Sequence, residues 1–279
     1  MSNLSYNKFE VQAQGKKALI DQLFTEECNK IYDRVLRVSD AFYNDLENNI
    51  PRWINEAKCS NNISNIFKVK SQAEAFTSEL VTISSDKIKT KTEEWVENHF
   101  IPVLKSEIKT LTQTMDSHTN TYMNELSNLR VSLNIDQQNI VKNTTPSKAN
   151  RALSAGASLL VGDLGGAIMG GAGGFDATLK TLGCEAGAGV ILGIISLFTP
   201  VGLTAFVVGT VLSVLVGSNW SLNSMESKIR KEVSKNMVEN IKSESNKERF
   251  KMMIISNVDK SLSELRRNIN TRWNGLLIA

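Results

Sequence analysis

No charged side chain occurs anywhere in residues 186–225, and residues 151–218 as a whole are apolar and Gly-rich. The rest of the chain is polar and periodic. A fold for this sequence must therefore place one uncharged block, deep in the chain, either in a protein core or in lipid. Within the block, Ser154, Ser158, Gly162, Gly166, Gly170 and Gly174 recur every four residues. A second series, Ala205, Gly209, Ser213 and Gly217, follows it. Small residues at this spacing form a stripe along one helix face and let two helix backbones approach closely. Fifteen of the 17 glycines lie between Gly156 and Gly217. In water each costs a helix up to about 1 kcal/mol relative to Ala. In lipid the backbone has to satisfy its own N–H and C=O groups, which favours helix regardless. A flexible Gly-rich linker is the alternative, but Leu, Ile, Val and Phe fill the positions between the glycines.

A single membrane-spanning helix needs about 20 apolar residues. Residues 186–218 are long enough in total, but Pro200 and Gly202 interrupt them near the middle. Thr199-Pro200-Val201-Gly202 has turn chemistry, because Pro fixes φ and Gly accepts unusual dihedrals. The expectation is a helical hairpin, Gly187–Phe198 and Leu203–Val216, with Pro200 at its tip. A single kinked span is the rival geometry. The residues expected to enter lipid are Val190, Ile191, Leu192, Ile194, Ile195, Leu197, Phe198, Pro200, Val201, Leu203, Phe206 and Val207. Those expected to pack helix on helix are Ser158, Gly162, Gly166, Gly170, Gly174, Gly209, Ser213 and Gly217. The preceding arm, Leu153–Leu182, is interrupted by Asp163, Asp176 and Lys180, which suits a segment at the interface or against the hairpin.

Basic residues flank the block on both sides. Lys148 and Arg151 precede it, and Lys228, Arg230 and Lys231 follow it, with Trp220 at the boundary. These are the expected contacts to anionic headgroups on one membrane face. An ordinary helix surface with charge pairs at i,i+4 is the competing explanation for the second cluster.

Outside the block, apolar residues recur at spacings of three and four. Ile20, Leu23, Cys28, Ile31, Val35, Val38, Phe42 and Leu46 form one stripe, expected to end near Pro51. Phe67, Ala73, Phe76, Leu80, Ile83 and Ile88 form a second. Ile101, Leu104, Ile108, Leu111, Met115, His118, Tyr122, Leu126, Leu129 and Leu133 form a third. Leu222 to Met237 and Phe250 to Leu276 continue the pattern beyond the block. Long helices sharing a narrow seam follow from this period, and strand-like alternation is nowhere sustained. The predicted fold is all-α: an elongated antiparallel helical bundle, or stalk, with a Gly-rich hydrophobic helical hairpin, or paddle, at one end. Residues 1–145 would supply N-terminal stalk helices, 146–220 the paddle and 221–279 the returning stalk.

The net charge is only +3, and the basic residues are dispersed among acids, so no nucleic-acid surface is expected. Cys28, Cys59 and Cys184 show neither disulfide nor zinc spacing. The first ten residues lack a signal-peptide core, so the expected location is the cytoplasm, with the inner face of the cell membrane reached from that side. Gly174-Phe-Asp-Ala-Thr-Leu179-Lys180-Thr181 approaches a phosphate-binding loop, but Leu179 stands where a glycine must let the backbone wrap the phosphates. His99 and His118 are the only histidines, and neither has a catalytic or metal-binding partner at a recognisable spacing. No catalytic residue, metal or cofactor is expected, and the chain reads as a non-enzyme.

Glu94-Trp95-Val96, Phe100-Ile101-Pro102-Val103-Leu104, Glu107-Ile108 and Leu111 resemble the stalk helices of bacterial dynamin-like proteins, as do Asn128-Leu129-Arg130-Val131-Ser132-Leu133. The two apolar stretches, Leu153–Gly174 and Gly187–Gly217, resemble that family's membrane-inserting paddle. The likeness covers roughly residues 70–275 and is a pattern of helices and hydrophobicity more than a sharp motif. Members of the family carry an N-terminal GTPase domain, which this sequence lacks. The resemblance implies lipid binding through Ile191–Phe206, self-assembly into homo- or hetero-oligomers through the stalk, remodelling of membranes, and a GTPase partner on a separate chain. An α-helical pore-forming protein that inserts the hairpin to permeabilise membranes is the alternative.

Overall fold

The three-and-four spacing of apolar residues becomes helix along nearly the whole described chain. The computed structural model describes residues 2–133, 187–191, 194 and 222–278. All regular structure among them is helical. Helix α1 is Ser2–Glu56, α2 Val69–Trp95, α3 Ile101–Ser132, α4 Leu222–Lys242 and α5 Glu244–Ile278. A 3-10 turn, Ile66–Lys68, leads into α2. A π-helical turn, Val96–Phe100, joins α2 to α3 without a break. Pro102 accounts for that turn. Its ring collides with the carbonyl four residues back in a regular helix, and one extra residue in the turn relieves the collision.

Helix α1 does not end near Pro51; it runs five residues past it. Pro51 removes one backbone donor, but Trp53 and Ile54 beyond it are buried, and their burial holds the last turn in place. Two further expectations shift. Phe67 falls outside α2, in the 3-10 turn, and is 95 % exposed. His118 is exposed, and its neighbour Thr119 takes the inward position. The seam of α3 steps from Leu111 and Thr112 to Met115 and then four residues on, which is 119.

The helices contribute to two compact units. Unit 1 draws on the described residues of Met1–Arg34, Val103–Glu185 and Val258–Ala279. Unit 2 draws on those of Val35–Pro102 and Ala186–Asn257. Each therefore combines segments from before and after the apolar block, and α1 and α5 each pass through both.

In unit 1, Ile20, Phe24, Cys28 and Ile31 of α1, Leu104, Ile108, Leu111 and Met115 of α3, and Val258, Leu262, Leu265, Ile269 and Trp273 of α5 form the buried core. Polar links tie the same helices at the rim. Tyr32 donates to Asp259 Oδ1 at 2.8 Å, Lys16 pairs with Glu125, and Arg34 Nε lies 3.5 Å from Glu107. The Arg266 guanidinium sits 5.8 Å from the centre of the Phe24 ring. Exposed ion pairs of this kind contribute about 0–1 kcal/mol each, so the buried apolar side chains dominate.

In unit 2, Phe42 of α1 stacks on Trp95 at the end of α2, with centroids 4.4 Å apart and planes within 8°. Tyr43 lies against Phe250 at 4.9 Å and donates to the carbonyl of Ile241 at 2.6 Å. Burial pushes its phenol up to about 12. Ile50, Ile54, Phe76, Leu80, Ile88, Phe100, Ile229 and Val233 complete the core. Thr77, Ser84 and Thr92 are buried among them, and each hydroxyl returns its proton to the carbonyl four residues earlier, at 2.7–2.8 Å. That bond lets small polar residues occupy a seam position without an orphaned donor.

Candidate functional site

The start of the uncharged block is described, and it is helical over residues 187–191. Within unit 2 this helix sits very close to its neighbours. A Cβ on Gly187 would lie 2.9 Å from Val96 Cγ1 and 3.0 Å from Ile101 Cδ1. A Cβ on Gly189 would collide with the Asn257 amide oxygen. That amide is fixed, because Asn257 Nδ2 donates to the carbonyl of Met253 at 2.8 Å. Glycine here serves close approach: two missing methyl groups let the block's first turns lie against the α2–α3 junction and against α5. Val190 and Ile194, both expected to enter lipid, are fully buried in unit 2, and Ile191 is half-buried.

Leu192, Ile195, Leu197, Phe198, Pro200, Val201, Leu203, Phe206 and Val207 lie outside the described residues. So do the small residues Ser158, Gly162, Gly166, Gly170, Gly174, Gly209, Ser213 and Gly217, the segment Gly174–Thr181, and Lys148, Arg151 and Trp220. Among the described residues, no helix is long and apolar enough to cross a membrane, and no His/Cys/Asp/Glu cluster could hold a metal ion.

The remaining flanking basic residues are on the first turns of α4. Lys231 is exposed and Lys228 half-buried. Arg230 turns its guanidinium onto the end of α1. Nη1 donates to the carbonyl of Ile54 at 2.5 Å and Nη2 to that of Ala57 at 2.9 Å. The same group lies 5.3 Å from the centre of the Phe76 ring. The last carbonyls of a helix have no partner within it and carry partial negative charge, so a cation is favoured there.

Beyond α1 the chain crosses to α2 through residues 57–65, and side chains hold this loop by its backbone. Glu79 accepts from the N–H groups of Ser60 and Asn61 at 2.7 and 2.8 Å, and from both of their side chains. Those hydrogen bonds lower its carboxyl to about 2. Glu226 Oε1 accepts from Ile63 N at 2.9 Å, and Gln72 Oε1 accepts from the N–H groups of Ser64 and Asn65. Asn65 in turn caps the 3-10 turn, its Oδ1 accepting from Phe67 N at 2.9 Å. Burial raises the thiol of Cys59 in this loop, and the nearby Arg230 charge opposes the rise. Sequence reading missed Glu79, Glu226 and Gln72 because mid-helix acids and amides look like solvated surface. No local spacing relates Glu226 to a loop more than 160 residues earlier.

The arrangement offers an apolar helix held against a helical body, and a rigid loop fastened to the helix that follows the block. Comparison with protein-family models, curated proteins and solved structures finds no match to this chain.

Proposed function

We propose that this protein is a membrane-binding, self-assembling stalk-and-paddle module of a dynamin-like remodelling system, working with a GTPase on a separate chain. The observation that carries the reading is the uncharged stretch of residues 186–225 set inside a chain that is otherwise polar and, over the described residues, helical. The helices form an elongated antiparallel stalk, and the apolar hairpin is the paddle that enters anionic lipid from the cytoplasmic side. Lys228 and Lys231 on α4, with Lys148, Arg151 and Trp220, meet the headgroups. Arg230 is occupied at the end of α1 and contributes to that surface only through its charge.

Flotation with liposomes tests the reading. Native protein floats with vesicles containing phosphatidylserine, and Phe198→Asp does not, because a charge at mid-bilayer costs about 2.5–3.5 kcal/mol on insertion scales. Equal flotation of the two removes the paddle assignment. The purified chain alone turns over no GTP; measurable turnover removes the need for a partner.

The burial of Val190 and Ile194 favours a second reading, a pore-forming protein that stows its apolar segment and releases it on contact with a membrane. Release of an entrapped dye separates the two: a remodelling module deforms vesicles and retains their contents, and a pore-former empties them.

A further inference from the structure

The loop between α1 and α2 ends in an aromatic side chain with almost no protein around it. Phe67 is 95 % exposed, whereas Phe24, Phe42, Phe76, Phe100 and Phe250 are buried and Phe9 is half-buried. Its position is fixed. Asn65 caps the turn that carries it, Gln72 holds the two residues before the turn, and Glu79 and Glu226 hold the rest of the loop. An exposed aromatic on a tethered turn loses little conformational freedom when something covers it.

Two further features identify the cover. Lys58, Lys68 and Lys70 surround the turn in sequence, all exposed, and none is in an ion pair among the described residues. Glu79 and Glu226 already accept the loop's backbone N–H groups, and Glu56, at the end of α1, is the acid beside it in sequence. The loop thus presents positive charge around one large apolar side chain, the combination that suits an anionic bilayer surface. Its location agrees. Glu226 is the first charged residue after the uncharged stretch, one turn into α4, and it is the residue that grips Ile63. If the stretch before Glu226 enters lipid, the loop is held at the bilayer surface.

We propose that Phe67, with Lys58, Lys68 and Lys70, forms a second membrane contact that seats in the headgroup layer of an anionic bilayer beside the inserted block. The proposal rests on the membrane reading above. It adds a fixed anchor that needs no unfolding of unit 2.

The experiment measures binding of the full chain to vesicles of phosphatidylcholine alone and of phosphatidylcholine with phosphatidylserine. Native protein, Phe67→Ala, Lys68→Ala with Lys70→Ala, and Phe198→Asp are compared, with helix content checked by circular dichroism. Phe67→Ala weakens binding to both vesicles about tenfold, the loss of one buried aromatic. The lysine variant weakens binding about fivefold per charge on phosphatidylserine vesicles and leaves the neutral ones unchanged. If Phe198→Asp loses binding while Phe67→Ala and the lysine variant match the native protein, this contact is overturned and the paddle reading stands. If the native protein binds neither vesicle, the membrane reading falls and this contact with it. If Phe67→Ala instead changes the oligomer size in light scattering and leaves vesicle binding unchanged, the turn contacts a second copy and the proposal is overturned.

Discussion

The guanidinium of Arg230 closes the end of α1 by donating to the carbonyl of Ile54 at 2.5 Å, across 176 residues of sequence. A second nitrogen reaches Ala57, and the Phe76 ring lies beneath the group. One side chain therefore satisfies the last turn of α1 and tethers α4 to it. Arg230→Ala leaves those carbonyls without a protein donor and removes the packing over Phe76, and should destabilise unit 2 by about 1.5–3 kcal/mol. Arg230→Lys keeps the charge but not the planar fork, and should recover less than half of that loss. Urea unfolding followed by circular dichroism checks both; an unchanged midpoint for Arg230→Ala would show that the bonds contribute nothing.

Glu79 makes the stability of the α1–α2 loop depend on pH. Its carboxyl is depressed from 4.5 to about 2 by hydrogen bonds from the Ser60 and Asn61 backbones. The folded form holds the proton less tightly than the unfolded form. Its stabilising contribution is therefore complete above about 4.5 and is lost as pH falls from there through about 2. Glu79→Gln should be less stable than native at neutral pH, and the difference should shrink across that acid window. Hydrogen exchange at Ser60 and Asn61 should quicken in the variant at neutral pH. A native-minus-variant difference that stays constant down to pH 2 would contradict the assignment.

Legibility of this fold in the sequence follows what local periodicity can carry. The inward faces of α4 and α5 follow Met225, Ile229, Val233 and Met237, then Phe250 to Trp273, all of them buried. Errors arise where a polar side chain takes a seam position. Thr119 and not His118 lies inward on α3, and Ser84 is more buried than Ile83; the Ser84 hydroxyl satisfies its seam position by donating to the carbonyl of Leu80. The last turn of α1 was missed for a different reason. Pro51 is a strong local stop, and what carries the helix past it is long-range: the burial of Trp53 and Ile54, with Arg230 of a distant helix closing the end. The loop tether on Glu226 likewise comes from a distant helix, and the one on Glu79 from the helix that follows the loop. The apolar block stood out from composition alone, but composition cannot say that Gly187 and Gly189 face the protein's own side chains.

Cys28 should be chemically silent in the folded protein. Burial among Ile31, Phe24 and the helix neighbours pushes its thiol up to about 11, with the Arg266 charge opposing that rise only in part. The thiolate is the reactive form, and almost none exists at neutral pH. Iodoacetamide at pH 7.5 should leave Cys28 unmodified in native protein and label it in urea, read by peptide mass spectrometry. Rapid native labelling would mean that unit 1 opens readily around this helix.

The close fit at Gly187 and Gly189 ties packing to release of the apolar block. Gly187→Ala drives a methyl group to 2.9 Å from Val96 Cγ1, and Gly189→Ala drives one into the Asn257 amide. Overpacking of this kind costs about 1–3 kcal/mol, although removing glycine from a helix returns up to about 1 kcal/mol. The net effect should loosen the block's first turns from unit 2. Amide exchange at Val190 and Ile191 should accelerate in both variants. If docking restrains lipid binding, the same variants should float with phosphatidylserine vesicles at lower lipid concentration than native protein does. Ile194→Asp gives the complementary result. Ile194 is fully buried, so the buried charge should both undock the helix and penalise its entry into lipid, lowering unit 2 stability and flotation together. Faster exchange without a change in flotation for the glycine variants would separate the two events, leaving Gly187 and Gly189 as core packing alone.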